Sequence, residues 1–435
     1  MTGGGASTSG SSGLDRLAIG GRRGGLWIAA AALLSAICSL LAQLAFERAL
    51  GLLEFARFAY LTSLLGLLVP VACMGSNHLL LSEFFQGRLV SREDASRLIS
   101  YFLAFSALAL LVFLPLYRHG APPPQAGLPL LLLGVLFLAQ VPVNIVFPVF
   151  QGRGQTRWVA LWPLIQVLLR AAVGVVAILA AWSLYEAVLA WTIVCVSLAA
   201  IAISQLLPSL KARMKLKPQL AESHRFTWQR TRATLASGLV FGLSDMLDAL
   251  DLKLLVPLAA LLFSAVETAA AGLAVVILSA AFFFPYVLIT RILLPAIHRA
   301  PAHGGSSEVR ALVLRLSAWS LAVLLPITVL VYAYGYPLIA RIVRGDYSSQ
   351  ATALSGLAFC LAPLCISQLA AAPHMQREST WRLLWWRLEA LAIFVAMALG
   401  WRSLGLTSLV LGFAVGRLWL SARVLNGLRT QRSGP

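Results

Sequence analysis

Long apolar runs follow one another along almost the whole chain, and they constrain its fold more than any other feature. Each run is close to the roughly 20 residues that an α-helix needs to cross about 30 Å of hydrocarbon. The runs are continuous, whereas the strands of a β-barrel would be short and would alternate in polarity. With 60% hydrophobic and only 11% charged residues, the sequence predicts an all-α polytopic membrane protein.

We predict about twelve transmembrane helices, six in each half of the chain. The division between the fifth and sixth is the weakest, because only residues 182–186 separate them. The predicted spans are Leu26–Phe46, Phe58–Leu81, Leu98–Leu116, Leu128–Phe150, Trp158–Ala181, Ala187–Leu207, Ala233–Leu262, Ala269–Ile297, Ala311–Tyr334, Ala351–Ala371, Leu383–Leu399 and Leu404–Leu425.

Segments that are poor in apolar residues divide the chain into two halves. Residues 1–25 are rich in Gly and Ser and predict a disordered cytoplasmic tail. Residues 208–232 carry seven Lys and Arg and predict a basic cytoplasmic linker. The resulting domains are a six-helix bundle at 26–207, a second at 233–428 and a short cytoplasmic tail at 429–435.

Weak internal similarity indicates that the two halves are repeats. Glu54 and Glu267, for instance, correspond at an offset of 213 residues. An even number of spans in each copy predicts parallel repeats about an axis along the membrane normal. Chance similarity between segments rich in Leu and Ala is the alternative.

The positive charge is distributed in a way that predicts membrane orientation. The net charge is +18, but the 34 Lys and Arg are scattered between spans and form no basic domain, so nucleic acid is not an expected partner. Short positively charged loops are retained in the cytoplasm. With both termini cytoplasmic, 24 of these residues, including Arg387, lie inside and six lie outside. The six external residues are Arg48, Arg57, Arg118, Arg341, Arg344 and Arg402.

Neither the cysteines nor any motif indicates an enzyme or a metal site. The five cysteines lie inside apolar runs without metal-ligand spacing, which predicts small apolar packing residues. Hydrolase and phosphate-loop motifs are absent from the sequence, and the external connections are too short to hold a catalytic domain. We therefore predict no catalytic residue and no cofactor.

Two short motifs resemble those of a known family. Residues 49–56, with the sequence ALGLLEFA, look like an LG-x-x-(E/D)-(F/Y)-G turn, and residues 251–255, DLKLL, look like a D-x-x-L-L pattern in the seventh span. Over residues 26–425 the chain resembles the polysaccharide flippases of the multidrug/oligosaccharidyl-lipid/polysaccharide exporter superfamily. Ala56 departs from the family Gly, and residues 267–271 lack the family's usual Gly-Tyr.

The resemblance implies a MATE-like fold and a transporter of the bacterial inner membrane. Its substrate would be an undecaprenyl-pyrophosphate-linked oligosaccharide for polysaccharide biosynthesis, and membrane lipids and a polysaccharide polymerase would be partners. Other functions stay open at this point: a drug/cation antiporter or a peptidoglycan-precursor flippase of the same superfamily, or a membrane enzyme or scaffold that transports nothing.

Three aspartates give the seventh span an unusual acidic face. Asp245, Asp248 and Asp251 fall within an arc of about 120° and rise roughly 9 Å along the helix. Carboxylates in a low-dielectric setting need a proton, a cation or a partner. We predict an ion-coupling site for protons or sodium, with structural ion pairs as the alternative.

Basic residues within or beside the spans are candidates for binding the substrate pyrophosphate, because Arg offers a permanently charged planar fork. We assign this role to Arg48, Arg291 and Lys253, since the resemblance implies that spans 1, 2, 7 and 8 line the cavity. Lys253 lies about 160° around the helix from Asp251, and snorkelling outward is its alternative. We expect Arg170 to pair with Glu186 or another acid, and Arg417 to meet lipid phosphate.

Overall fold

The computed structural model describes residues 21–75, 80, 92–121, 128–153, 155–215, 228–287, 306–341, 343, 345–371, 374 and 380–430. All regular structure in this part of the chain is helical. The longer helices are α1 (Gly21–Ala72), α2 (Arg92–Gly120), α3 (Leu130–Gly152), α4 (Thr156–Leu179), α5 (Leu184–Lys215), α6 (Trp228–Leu262), α7 (Ala265–Val287), α8 (Ser306–Ala340), α9 (Ala351–Gly356), α10 (Leu361–Ala371), α11 (Thr380–Gly400) and α12 (Leu406–Thr430).

The predicted all-α polytopic fold is confirmed. Among the described residues, ten helical stretches are long and apolar enough to cross a membrane, and one of them, Ala30–Ala72, is 43 residues long. That length is about twice what one crossing requires. Helix α6 contributes a further apolar stretch, Leu252–Leu262.

The first two predicted spans form α1, which consists of two helices that meet at a sharp break. Only Gly51 departs from helical geometry, with φ 71° and ψ 174°, and this conformation is accessible mainly to glycine. It divides α1 into a first arm, residues 21–50, and a second arm, residues 52–72. The turn expected at residues 49–56 is therefore present, but Gly51 alone makes it, so both helices extend further into the motif than the predicted span ends at Phe46 and Phe58.

Two other predicted boundaries have different outcomes. The weak division between spans 5 and 6 is confirmed, because α4 ends at Leu179 and α5 begins at Leu184. The predicted tenth span, Ala351–Ala371, is not one continuous α-helix. It consists of α9, the 3-10 turn Leu357–Cys360 and α10.

The helices form two lobes that meet along α1. Helices α1 to α5 pack mainly with one another, and α8 to α12 pack with one another and with α6 and α7. Helices α6 and α7 also contact α1, which is the most extensive partner of α7. Small residues let these helices approach closely, as is common between helices in membranes. A Cβ atom added at Gly272 of α7 would lie 2.5 Å from the Cβ of Ala59 in the second arm.

A second close approach joins the end of α1 to α6. Gly75 has φ 70°, and a Cβ atom added there would collide with the backbone of Gly238. One turn further along α6, a Cβ atom added at Gly242 would collide with Met74 and Gly75. Gly238 and Gly242 form a GxxxG spacing on α6, which supports close backbone packing. We call Met74, Gly75, Gly238 and Gly242 the glycine contact.

One local arrangement occurs once in each lobe. Ser183 donates its backbone and hydroxyl groups to Glu186 at the start of α5, and Ser264 does the same to Glu267 at the start of α7. In each case a Ser-x-x-Glu capping box satisfies the free donors of a helix N-terminus. Within the predicted linker at 208–232, α5 continues to Lys215 and α6 begins at Trp228, while residues 216–227 lie outside the described residues. The bundle boundaries stay predictions.

We predict that Gly75→Ala destabilises the protein. The alanine would sit in a left-handed backbone conformation and would press against Gly238, so we expect a loss of about 2 kcal/mol or more. The measurement is the thermal unfolding midpoint of the purified protein in detergent.

Gly134→Ala is the matched control, because Gly134 lies within helix α3 and nothing is within 4 Å of an added Cβ atom. Alanine should be neutral or slightly stabilising there. Equal losses in both variants would contradict the role assigned to the glycine contact.

Candidate functional site

A small cavity lies between the two lobes. Its volume is about 60 Å³, and its walls come from both arms of α1, from α4, and from α6 and α7 of the second lobe. Two cationic side chains, Arg170 and Lys253, line it together with three uncharged polar ones. The polar residues are Gln43, Thr62 and Ser63, and the apolar ones are Ala59, Val256, Gly272, Val275 and Val276.

Arg170 projects from α4 into this space and keeps unused hydrogen-bonding capacity. Its guanidinium carbon lies 4.8 Å from the ring centre of Trp191 and 5.7 Å from that of Phe58. These aromatic faces attract a cation and hold its plane in place. The buried Nε and Nη2 atoms have no hydrogen-bond partner among the described residues, so donors remain that an anionic ligand would satisfy.

Lys253 brings a second positive charge to the same cavity from the opposite lobe. Its side chain runs over Gly66 of α1, where an added Cβ atom would lie 3.0 Å from its Cδ atom. Its backbone carbonyl accepts a 2.6 Å hydrogen bond from the hydroxyl of Ser63. The expected alternative that Lys253 snorkels outward is therefore wrong, because the side chain is packed between the lobes.

The cavity is electropositive. Arg170 and Lys253 are close enough to repel each other electrostatically, and no carboxylate is among the described residues that line the cavity. Two like charges that line one small cavity favour a bound anion. This arrangement suits recognition of phosphate or another anionic group.

The other predicted site residues fall at different places. Arg48 lies near the end of the first arm with an exposed side chain. Arg291 lies outside the described residues. The three aspartates predicted to couple ions, Asp245, Asp248 and Asp251, belong to α6, but their side chains are outside the described set. Their ion-coupling role stays a prediction.

Arg170 does not pair with Glu186, and sequence reasoning missed its place in the cavity. Pairing with another acid stays a prediction. Glu186, its expected partner, instead accepts hydrogen bonds of 2.8 and 2.9 Å from Ser183. Arg170 packs on Trp191 and Phe58, aromatic residues of α5 and α1. An Arg inside an apolar span was the available signal, but the sequence could not show which helix it faced.

Three other arginines occupy places that the orientation argument did not anticipate. Arg417, expected at lipid phosphate, is only 1% exposed and donates to the hydroxyl of Ser367. Arg387, counted with a cytoplasmic loop, is buried in α11 and donates to the carbonyl and hydroxyl oxygens of Ser244. Arg57, counted as external, is buried in the second arm. Burial inside the lobes gives these cations protein partners in place of water or lipid.

The five cysteines are free thiols that are buried, which agrees with their predicted packing role. Among the described residues no cluster of His, Cys, Asp or Glu could hold a metal ion.

No protein-family model matches the chain, and no curated protein sequence matches it. Solved structures do. The chain is similar to the inward-facing conformation of a multidrug resistance MATE family transporter of the MOP superfamily, with a TM-score of 0.68, 12% identity and coverage of 92% of this chain and 94% of that one. An outward-facing MATE structure gives a TM-score of 0.64 with 14% identity and coverage of 97% and 98%.

A mutant of the Vibrio cholerae MATE transporter VcmN is a third similar structure, with a TM-score of 0.64, 16% identity and coverage of 94% of this chain and 96% of that one. At this level of identity the similarity establishes the fold. The chain has the two-lobed, all-helical MATE fold that its sequence predicted.

We predict that Ser63→Ala weakens the contact between the lobes. The Ser63 hydroxyl donates to the backbone of Lys253 across the two lobes, and such bonds contribute on the order of 0.6–1.7 kcal/mol in membrane proteins. The measurement is the thermal midpoint in detergent.

Thr62→Val is the control, since Thr62 lines the same cavity but donates to Ala59 of its own helix at 3.0 Å. It should change the midpoint less than Ser63→Ala. The reverse order would contradict an interlobe role for Ser63.

Proposed function

We propose that the protein is a transporter that flips undecaprenyl-pyrophosphate-linked oligosaccharide across the bacterial inner membrane by alternating access, for polysaccharide biosynthesis. The observation that carries this proposal is the cationic cavity between the lobes, lined by Arg170 and Lys253. A pyrophosphate carries the complementary charge, and the Arg170 guanidinium has donors left to bind it.

The size of the cavity fits a closed conformation of such a transporter. A volume of 60 Å³ is about that of two water molecules, so a sugar pyrophosphate would enter only after the lobes separate. The prenyl tail would stay in lipid while the charged head passes between the lobes. The protein's part is to bind and move the substrate, with no chemical step.

The charge bias of the loops supports the orientation that we propose, with both termini in the cytoplasm. The substrate would be loaded on that side and released to the exterior, where a polysaccharide polymerase would use it. Membrane lipids would surround the exposed apolar faces of the helices.

A drug/cation antiporter is the second candidate function. Multidrug MATE transporters share the fold, and three aspartates on α6 would suit binding of a cation. Against it stand the charges of Arg170 and Lys253, which would repel a cationic drug from the cavity.

We predict that the purified protein binds prenyl pyrophosphate and that Arg170→Met or Lys253→Met weakens binding by about tenfold or more. Each variant removes one charge-assisted contact, worth roughly 1.5–3 kcal/mol. Binding is measured by the shift in thermal midpoint with undecaprenyl pyrophosphate, compared with undecaprenol and with the cationic dye ethidium.

Arg423→Met is the control, because Arg423 lies on α12 in a half-exposed pair with Glu389, away from the cavity. It should bind as the parent does. Preference for ethidium over the pyrophosphate lipid would contradict the flippase and favour the cation antiporter.

We also predict that Asp248→Asn and Arg291→Met each reduce polysaccharide export in cells. Asp248→Asn would remove ion coupling but leave pyrophosphate binding intact, whereas Arg291→Met would weaken binding. Export is followed by immunoblot of surface polysaccharide at matched protein levels. Export at the parent level in both variants would eliminate these two residues from the site.

A further inference from the structure

Glu47 joins the two lobes near the cavity. It lies in the first arm of α1, and its side chain is 0% exposed. Its Oε1 atom accepts a 2.8 Å hydrogen bond from the backbone N–H of Gly345 and a 3.3 Å bond from the hydroxyl of Tyr347. Both donors belong to the connection that follows α8, so the bonds link opposite lobes.

The connection around Gly345 is shaped to make these bonds. Asp346 accepts a 2.9 Å hydrogen bond from the backbone N–H of Ser348, which lowers the pKa of its carboxyl group. Tyr347 is 1% exposed, and its ring lies so close to Gly345 that an added Cβ atom would come within 2.8 Å. A residue larger than glycine would push the ring and backbone away from Glu47.

The position of Glu47 relates it directly to the cavity. Gln43 lines the cavity and precedes Glu47 by one turn of the same helix, a rise of about 6 Å. The glycine contact lies on the other side, since Gly242 is 11 residues before Lys253 on α6, about 16 Å along the helix. Contacts between the lobes therefore lie towards both ends of the cavity, and we call them its two closures.

The two closures differ in chemistry. The glycine contact is backbone packing without a charged group, whereas Glu47 makes buried hydrogen bonds that depend on direction and distance. Such bonds break together once the lobes move apart by more than a few ångströms. These bonds therefore favour two distinct states, closed and open, over a continuous range of distances between the lobes.

We propose that Glu47, Gly345 and Tyr347 form a latch that holds the lobes together on the side predicted to face the exterior. The latch must open for the cavity to reach that side, so it sets how often the cavity is exposed there. This inference rests on the proposed transport function, which it extends to the control of release.

The test measures exposure of the cavity with a cysteine introduced by Thr62→Cys. Thr62 lines the cavity, and the five native cysteines are buried, so their background labelling is measured in the parent. The purified protein is treated in detergent, without substrate, with the anionic thiol reagent 2-sulfonatoethyl methanethiosulfonate. Addition of Glu47→Ala or Tyr347→Phe should raise the labelling rate at position 62 by about tenfold.

Glu54→Ala is the matched control. Glu54 also lies in α1 and accepts a hydrogen bond from a backbone N–H, that of Leu184, but both residues belong to the first lobe. It should leave labelling unchanged. Glu47→Gln, which keeps the volume of the side chain, and gel filtration of every variant separate opening of the latch from loss of fold.

Unchanged labelling in folded Glu47→Ala and Tyr347→Phe would overturn the latch, as would an equal increase in Glu54→Ala. Because no substrate is present, this result is independent of pyrophosphate binding. Failure of the latch with retained pyrophosphate binding would leave the transport proposal standing, whereas loss of pyrophosphate binding with a responsive latch would remove only the substrate assignment.

Discussion

Close backbone approach along α1 is the constraint on which the rest of the structure depends. Lipid offers no hydrophobic driving force between helices, so contacts in a membrane rely on packing and on small residues that allow it. Gly272 against Ala59 and Gly75 against the glycines of α6 provide this packing. The two lobes stay in contact along much of α1 because small residues lie on both facing surfaces. The cavity remains where larger polar side chains interrupt this contact.

The polar cavity between the lobes explains why charged side chains are tolerated inside an apolar protein. A charged side chain within the membrane is costly unless it has partners or water. Arg170 obtains part of its stabilisation from Trp191 and Phe58, and Lys253 packs its aliphatic stem over Gly66. Neither arrangement neutralises the charge. The remaining electrostatic demand is for an anion, and the transporter that we propose would gain from a site that is stable in the closed state but better satisfied with its ligand.

The sequence predicted the class and layout of the fold because its signals are local. Runs of about 20 apolar residues indicate spans directly. The functional site was harder to predict from the sequence, because the function of a charged residue depends on which helix it faces. Arg170 and Lys253 are 83 residues apart in the chain, and only packing of the lobes brings them to one cavity. The turn at residues 49–56 shows a similar limit, since its motif predicted the turn but not that Gly51 alone would make it.

Lys253 couples the two properties that alternating access would require. Its backbone carbonyl accepts the interlobe hydrogen bond from Ser63, while its side chain supplies charge to the cavity. Separation of α1 from α6 would therefore break a contact between the lobes and alter the distance between Lys253 and Arg170 in one movement. Because those two cations repel each other, an anion between them favours the approach of the lobes and its departure favours their separation. Under the proposed function, ligand binding would therefore favour closure of the lobes, and the buried hydrogen bonds of Glu47 would set a threshold for their separation.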